Sequence, residues 1–151
     1  MKEEGLKIHL RIIGNLSTVH LINLSTYNIE YSTGVCLSNE DLANEYFNAD
    51  IVLFPSTYEG FGLPIIESFK AGRPIITSCL EPMNSIAEDA AFFVDPYEAF
   101  TIRDSVLQVI EDQIQRNEKV AKGLEIAKKY SVDSIHKQYE QLWRSMTSSL
   151  D

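Results

Sequence analysis

The stretch that decides the fold reads Asp50-Ile51-Val52-Leu53-Phe54-Pro55-Ser56-Thr57-Tyr58-Glu59-Gly60-Phe61-Gly62-Leu63-Pro64-Ile65-Ile66-Glu67. Its segment Ile51 to Phe54 is continuously apolar, which predicts a strand buried on both faces, as in parallel sheets covered by helices. Pro64 suits the first turn of a helix and Gly72 suits a left-handed C-cap, so a helix is predicted from Leu63 to Ala71. A strand, a glycine-containing loop and a helix therefore follow one another.

The loop between that strand and that helix is the candidate site. Gly60 and Gly62 can adopt backbone angles closed to other residues and leave room for a ligand near the main chain. The free N–H groups and the positive dipole end of the helix favour a phosphate. Glu59 and Glu67 stand at the two ends of this corner, at the carboxyl end of a strand, where open α/β sheets bind ligands.

Two carboxylates beside a candidate phosphate-binding site fit a ligand that also carries sugars. An ionised carboxylate has only acceptor sites and can accept from two neighbouring hydroxyl groups at once. Glu59 and Glu67 would then suit the ribose and the hexose of a nucleotide-sugar. The alternative is that Glu59 is a solvated loop charge and Glu67 a helix-start charge favoured by the dipole.

The pattern Pro55-Ser56-x-x-Glu59-Gly60-Phe61-Gly62-Leu63-Pro64-x-x-Glu67-x-x-x-Ala71-Gly72-x-Pro74 resembles the donor-site signature of retaining glycosyltransferases of the glycosyltransferase-B fold (group 1 family). The resemblance implies that Glu67 holds the ribose diol. It implies that Glu59 is catalytic, meeting the hexose hydroxyls or the positive charge that develops at the anomeric carbon. Sugar and phosphate would be held by main-chain groups of the segment Gly60, Phe61, Gly62 and Leu63, and the nucleobase by the turn at Val35.

Strand and helix patterns alternate before the opening stretch. Strands are predicted at Lys7 to Ile13 and Asn28 to Gly34, with a short irregular helix between Leu16 and Tyr27. Ser38 can cap a further helix, in which Leu42, Ala43, Tyr46 and Phe47 share one face. With right-handed crossovers this order predicts a doubly wound parallel sheet. The resemblance implies that this Rossmann-like sheet is the C-terminal half of a glycosyltransferase-B fold.

The same alternation continues after Gly72 and ends in helices. Strands are predicted at Pro74 to Ser78 and Ala90 to Val94, with a short helix at Pro82 to Ala87 between them. Three helices follow Thr101, and Gly123 is predicted to interrupt the second of them. The stripe of the third helix, which contains Trp143, is interpreted as core surface. Lys70 and Arg73 are interpreted as solvated charges.

The whole chain excludes several classes of protein. Its 151 residues favour a single domain, and a net charge of −9 opposes binding to nucleic acid. No apolar run is long enough to span a bilayer and no signal peptide is recognised. Cys36 and Cys79, lacking metal-ligand neighbours, are interpreted as buried or semi-buried thiols in a reducing cytoplasm. No metal site and no cofactor are expected, the nucleoside-diphosphate sugar being a substrate.

We expect residues 1–151 to be an incomplete nucleotide-sugar-binding domain. In the family that the chain resembles, an Arg and a Lys precede the first strand predicted here and stabilise the diphosphate, and a second domain binds the acceptor. Met1 to Gly5 is interpreted instead as the stub of a helix. The acceptor domain is therefore expected to be absent from this chain, which alone would be inactive.

Two classes of function remain open. The first is the donor-binding domain of a retaining hexosyltransferase of polysaccharide biosynthesis, which transfers a hexose from a nucleoside-diphosphate sugar to a glycan or lipid-linked acceptor. The second is a non-catalytic α/β module that binds a nucleotide or a partner protein. An exposed sheet edge could then pair two copies of the chain into a homo-oligomer.

Overall fold

A computed structural model describes residues 7–147 of the chain. The predicted helix stub at Met1 to Gly5 lies outside the described residues. Strands and helices alternate through the first part of the chain and three helices end it, as predicted. In order they are β1 (Leu10–Ile13), α1 (Thr18–Thr26), β2 (Tyr31–Gly34), α2 (Asn39–Asn48), β3 (Val52–Phe54), α3 (Leu63–Lys70), β4 (Ile75–Ser78), α4 (Met83–Ala87), β5 (Phe92–Val94), α5 (Ala99–Glu111), α6 (Gln113–Lys129) and α7 (Val132–Thr147).

The chain divides into two compact units, residues 1–42 and 43–151. In the first unit β1 and β2 pair in parallel, with Leu10 opposite Tyr31 and Ile13 opposite Gly34. Both strands begin about three residues later than predicted. Ser38 begins α2 as expected, since its hydroxyl accepts from the N–H of Asp41 at 3.1 Å.

Helix α1 is regular, which corrects the prediction of an irregular helix between Leu16 and Tyr27. Ser17 caps it: the Ser17 hydroxyl accepts from the N–H of His20, and Nδ1 of His20 accepts from the N–H of Ser17, both at 3.3 Å. This is a reciprocal capping box in which histidine takes the place usually held by Glu or Gln. Because His20 stands where the capping-box pattern has Glu or Gln, that pattern did not reveal the start of α1 in the sequence.

The second unit contains a three-stranded parallel sheet in the order β3-β4-β5. Every residue of the central strand β4 is buried. The edge strand β3 is less covered than its apolar sequence predicted, because Leu53 is 42% exposed. Burial on both faces is therefore seen for β4 and not for β3, because the face of β3 that carries Leu53 is partly exposed.

Helices cover both faces of this sheet. Ile75 belongs to a core cluster with residues of α3, α4 and α6, whereas Ile76 belongs to a second cluster with Val109 of α5. Successive side chains of a strand point to opposite faces, so the two clusters lie on opposite sides of β4. The second unit thus has the helix-sheet-helix layering predicted for a doubly wound sheet.

Gly123 does not interrupt α6, which runs unbroken from Gln113 to Lys129. The glycine lies where α6 packs on α3. A Cβ atom at Gly123 would approach Cδ1 of Phe69 to 2.4 Å, and Phe69 is itself only 1% exposed. The prediction was wrong because Gly123 allows α3 and α6 to approach each other closely and does not break the helix.

The predicted packing of Trp143 is also wrong for the part of the chain described. No residue of α7 is buried, and the Trp143 side chain is 69% exposed. Helical spacing shows which side chains share a face, but it does not show what covers that face. Cys36 and Cys79 are both exposed, so the prediction that they are buried or semi-buried is wrong. Among residues 7–147 no helix has the length and apolarity needed to cross a membrane.

Candidate functional site

The candidate site is the corner at the carboxyl end of β3, where the chain loops through residues 55–62 into α3. Gly62 precedes the helix with φ +97° and ψ +47°, and Pro64 lies in the first turn. No side chain caps this helix start, so its amide groups are not screened by a serine or aspartate. The positive end of the helix dipole is therefore available to an anion.

The two glycines of the loop differ. A Cβ at Gly62 would lie 3.3 Å from Cδ1 of Ile65 and would have to adopt a positive φ, whereas a Cβ at Gly60 would meet no described atom within 4 Å. Gly60 has no positive φ. The fold therefore requires a glycine at position 62, while at position 60 the missing side chain leaves open space beside the main chain.

Alanine substitutions should separate these two roles. Gly62→Ala is expected to lower the free energy of unfolding by about 1 kcal/mol, because a left-handed conformation is costly for a residue with a Cβ. Gly60→Ala serves as the matched control and should change it by less than about 0.5 kcal/mol. Urea denaturation measures both, and equal losses would contradict the assignment.

Glu59 is held by the loop that contains it. Its side chain is partly buried, and Oε1 accepts from the hydroxyl of Ser56 at 2.9 Å. The carbonyl of Ser56 accepts in turn from the hydroxyl of Ser78 at 2.6 Å, and Ser78 is fully buried in β4. A chain of two hydrogen bonds therefore ties the Glu59 carboxylate to the central strand of the sheet.

Glu67 lies one turn into α3 and is held from another helix. Its Oε2 accepts from the hydroxyl of Tyr46 of α2 at 2.8 Å. Burial, together with the hydrogen bond to Glu67 and the negative charge of that carboxylate, raises the pKa of Tyr46 well above its usual value. The phenol consequently stays protonated and remains a donor to Glu67 at neutral pH.

The two carboxylates share one arrangement. Each is partly buried, and each accepts one hydroxyl hydrogen bond on one oxygen. Within residues 7–147, the second oxygen of each carboxylate accepts from no protein donor. Glu59 and Glu67 are therefore oriented by the protein and keep acceptor sites for further hydroxyl groups.

Phe61 and Leu63 are both exposed, at 40% and 61%. The Phe61 ring meets the ring of Tyr130 edge to face, with the ring centroids 5.7 Å apart. It also lines a cavity of about 380 Å³ together with Lys129, Tyr130, Ile135 and Gln138. The side chain of Phe61 therefore contacts the α6–α7 region.

Val35 lies in the first unit, directly after β2, and is 51% exposed. The other predicted site residues lie in the second unit. Tyr46 was missed as a site residue, because its position on the apolar face of α2 pointed to packing. Its hydroxyl donates to Glu67, 21 residues further along the chain, and nothing in the sequence spacing indicates that contact. Among the residues from 7 to 147, no group of three potential metal ligands converges.

A family model described as "Glycosyl transferases group 1" matches residues 1–129. The chain belongs to the group 1 glycosyltransferases. Over 93 residues this glycosyltransferase chain is 37% identical to the O-antigen chain mannosyltransferase B of Escherichia coli, a match that covers 62% of the chain and 24% of that relative. The chain thus spans only about a quarter of that curated relative.

Solved structures show the same fold. Sucrose-phosphate synthase from Thermosynechococcus elongatus matches with a TM-score of 0.79 at 22% identity, over 93% of this chain and 39% of that one. Anabaena HepE, solved in complex with UDP and glucose, matches with a TM-score of 0.77 at 18% identity, over 89% and 40%. The predicted class is confirmed: a parallel α/β sheet of the glycosyltransferase-B type with helices at its C-terminal end.

Proposed function

We propose that this chain binds a nucleoside-diphosphate sugar and forms the donor-binding part of a retaining hexosyltransferase. The observation that carries the proposal is the pair of oriented carboxylates, Glu59 and Glu67, on either side of a helix start without a side-chain cap. Hydroxyl-rich sugars need acceptors and a diphosphate needs donors, and this corner provides both.

Each group has a separate task in the proposed complex. Main-chain N–H groups of residues 60–63 hold the diphosphate and the transferred sugar. Glu67 accepts from the ribose hydroxyls, and Glu59 accepts from the hexose hydroxyls or faces the positive charge that develops at the anomeric carbon. During transfer the bond from that carbon to the diphosphate oxygen breaks, and the electron pair stays on the diphosphate. The acceptor hydroxyl oxygen bonds to the same carbon with the same anomeric configuration, and its proton passes to the released diphosphate.

The acceptor in this proposal is a glycan or a lipid-linked saccharide bound by another part of a longer protein. The relative from Escherichia coli is named as a mannosyltransferase of the O-antigen chain. On that basis polysaccharide assembly is the proposed setting and mannose is the first hexose to test. The cytoplasm is proposed as the location from the sequence alone.

Calorimetric titration tests the proposal directly. The 151-residue chain is titrated with UDP, GDP and ADP, and then with the glucose or mannose derivative of the nucleotide that binds. Saturable binding of one nucleoside diphosphate at a single site is expected. Failure of all three nucleotides and their sugar derivatives to bind would overturn the proposed function.

Glu59→Gln tests whether the two carboxylates bind different parts of the ligand. Because Glu59 is assigned to the sugar, the variant should bind the sugar-bearing nucleotide about tenfold more weakly, as expected for a lost hydrogen bond to a charged group. Affinity for the bare nucleoside diphosphate should stay within about twofold of that of the unaltered chain. Calorimetry gives both constants. Glu111→Gln, an exposed residue with the same change of charge, is the control, and equal weakening of both ligands by Glu59→Gln would contradict the assignment.

A further inference from the structure

Tyr46 reaches Glu67 from a different helix and is fixed there by a second contact. The phenol hydroxyl of α2 donates to Oε2 of Glu67 in α3 at 2.8 Å. One residue further along α2, the carbonyl of Phe47 accepts from the guanidinium of Arg73, just past the end of α3. The Nε of Arg73 is buried with no partner among the residues described, so Arg73 is not the solvated charge that its sequence suggested. The two contacts hold the end of α2 against both ends of the Glu67–Arg73 segment.

The Tyr46 hydroxyl restricts the last side-chain torsion of Glu67, which sets the plane of the carboxylate. The last torsion of a glutamate side chain is broad and nearly two-fold, so an unsupported carboxylate samples many plane orientations. A carboxylate has about four acceptor positions, of which Tyr46 occupies one on Oε2. Oε1 and the remaining position on Oε2 are then left, in a defined plane, for other hydrogen-bond donors.

The neutral donor preserves the charge of the carboxylate. A lysine or arginine in place of Tyr46 would orient Glu67 as well, but it would also offset its negative charge. Hydrogen bonds to an ionised acceptor are stronger than those between neutral groups. A phenol that keeps its proton therefore orients Glu67 and leaves it a strong acceptor for hydroxyl groups.

We propose that Tyr46 is a positioning residue that makes Glu67 selective for nucleotides with an intact ribose 2′,3′-diol. The inference rests on the proposed function, because it takes Glu67 as the ribose-binding carboxylate. Tyr46 does not contact the ligand in this arrangement. Its effect reaches the nucleotide through the orientation of the Glu67 carboxylate.

The experiment compares two ligands on two proteins. The unaltered chain and Tyr46→Phe are titrated with the nucleoside diphosphate that binds and with its 2′,3′-dideoxy analogue. Phenylalanine keeps the ring and removes only the hydroxyl. We expect Tyr46→Phe to weaken binding of the ribose nucleotide by roughly five- to tenfold, less than the loss of a direct hydrogen bond to a charged group because Tyr46 acts through Glu67, and to leave binding of the dideoxy analogue within about twofold.

The control variant is Ser56→Ala, which removes the matching hydroxyl from Glu59. It should leave the ratio of ribose to dideoxyribose affinities unchanged, because Glu59 is assigned to the hexose. A merely structural role of Tyr46 would weaken both nucleotides equally. That outcome, or an unchanged ratio in Tyr46→Phe, would overturn the inference while leaving nucleotide binding itself intact.

A measurement on the unaltered chain covers the case in which Tyr46→Phe fails to fold. The ¹³Cζ resonance of Tyr46, in protein labelled at the tyrosine rings, responds to the hydrogen bonding of the hydroxyl. It should shift on addition of the ribose nucleotide and stay in place with the dideoxy analogue. The same response to both ligands would refute the role of Tyr46, whereas the absence of binding by either ligand would refute the proposed function.

Discussion

Gly123→Ala is expected to destabilise the second unit by about 1–2 kcal/mol, because overpacking a core usually costs about 1–3 kcal/mol and part of that cost is offset. The added Cβ would lie 2.4 Å from Cδ1 and 2.9 Å from Cγ of Phe69, a ring that is 1% exposed and surrounded by core residues. Alanine in place of glycine would by itself favour a helix interior by about 1 kcal/mol. The two effects have opposite signs, and the clash should dominate. Urea denaturation followed by circular dichroism measures the change.

A compensating variant identifies the cause. Phe69→Leu removes part of the ring that the new Cβ would strike, so Gly123→Ala should cost less in that background than in the unaltered chain. Such coupling is expected for residues in direct contact. A stabilised Gly123→Ala variant would show that helix propensity outweighs packing here and would contradict the close approach of α3 and α6.

Glu67→Gln is expected to weaken nucleoside diphosphate binding by about 10- to 100-fold, the range for losing hydrogen bonds to a charged group. Glutamine keeps the length of the side chain and one acceptor oxygen, but it removes the negative charge and replaces the other oxygen with a donor. The ribose hydroxyls thereby lose their strongest acceptor. Calorimetric titration of the 151-residue chain measures the effect.

Two comparisons make this prediction specific. The 2′,3′-dideoxy nucleotide lacks the hydroxyl groups assigned to Glu67, so the variant and the unaltered chain should bind it nearly equally. Glu111→Gln, an exposed glutamate on α5, changes the charge by the same amount away from the site and should leave both affinities intact. Equal weakening of both nucleotides by Glu67→Gln would mean that Glu67 supports the fold of the corner rather than the ribose.

Local patterns predicted the corner between β3 and α3 well. Pro64 marks the first turn of α3, and Gly62 has the positive φ that its place before the helix suggested. Glycine and proline have backbone preferences that act over one or two residues, so their consequences can be inferred without knowing the rest of the fold. The alternation of strands and helices likewise follows from hydrophobic spacing along the chain.

Contacts between distant residues were not predictable in the same way. The spacing of Tyr46 placed it on an apolar face, yet its hydroxyl donates to Glu67. Arg73 was interpreted as a solvated charge, although it donates to the carbonyl of Phe47. Both errors concern polar atoms at the ends of long side chains. The partners of these atoms depend on how two helices pack together. The hydrophobic periodicity of either helix gives no information about that packing.

By itself, the sequence determined the order of strands and helices, the loop and helix start with their two glutamates, and the family signature, because these depend on neighbouring residues. Only the tertiary structure decided how Glu67 is oriented, why residue 123 is a glycine and which apolar side chains are buried. Those features arise where segments far apart in the chain come into contact. The hydrogen bond from Tyr46 and the close approach of Phe69 to Gly123 exist only once α2, α3 and α6 have packed.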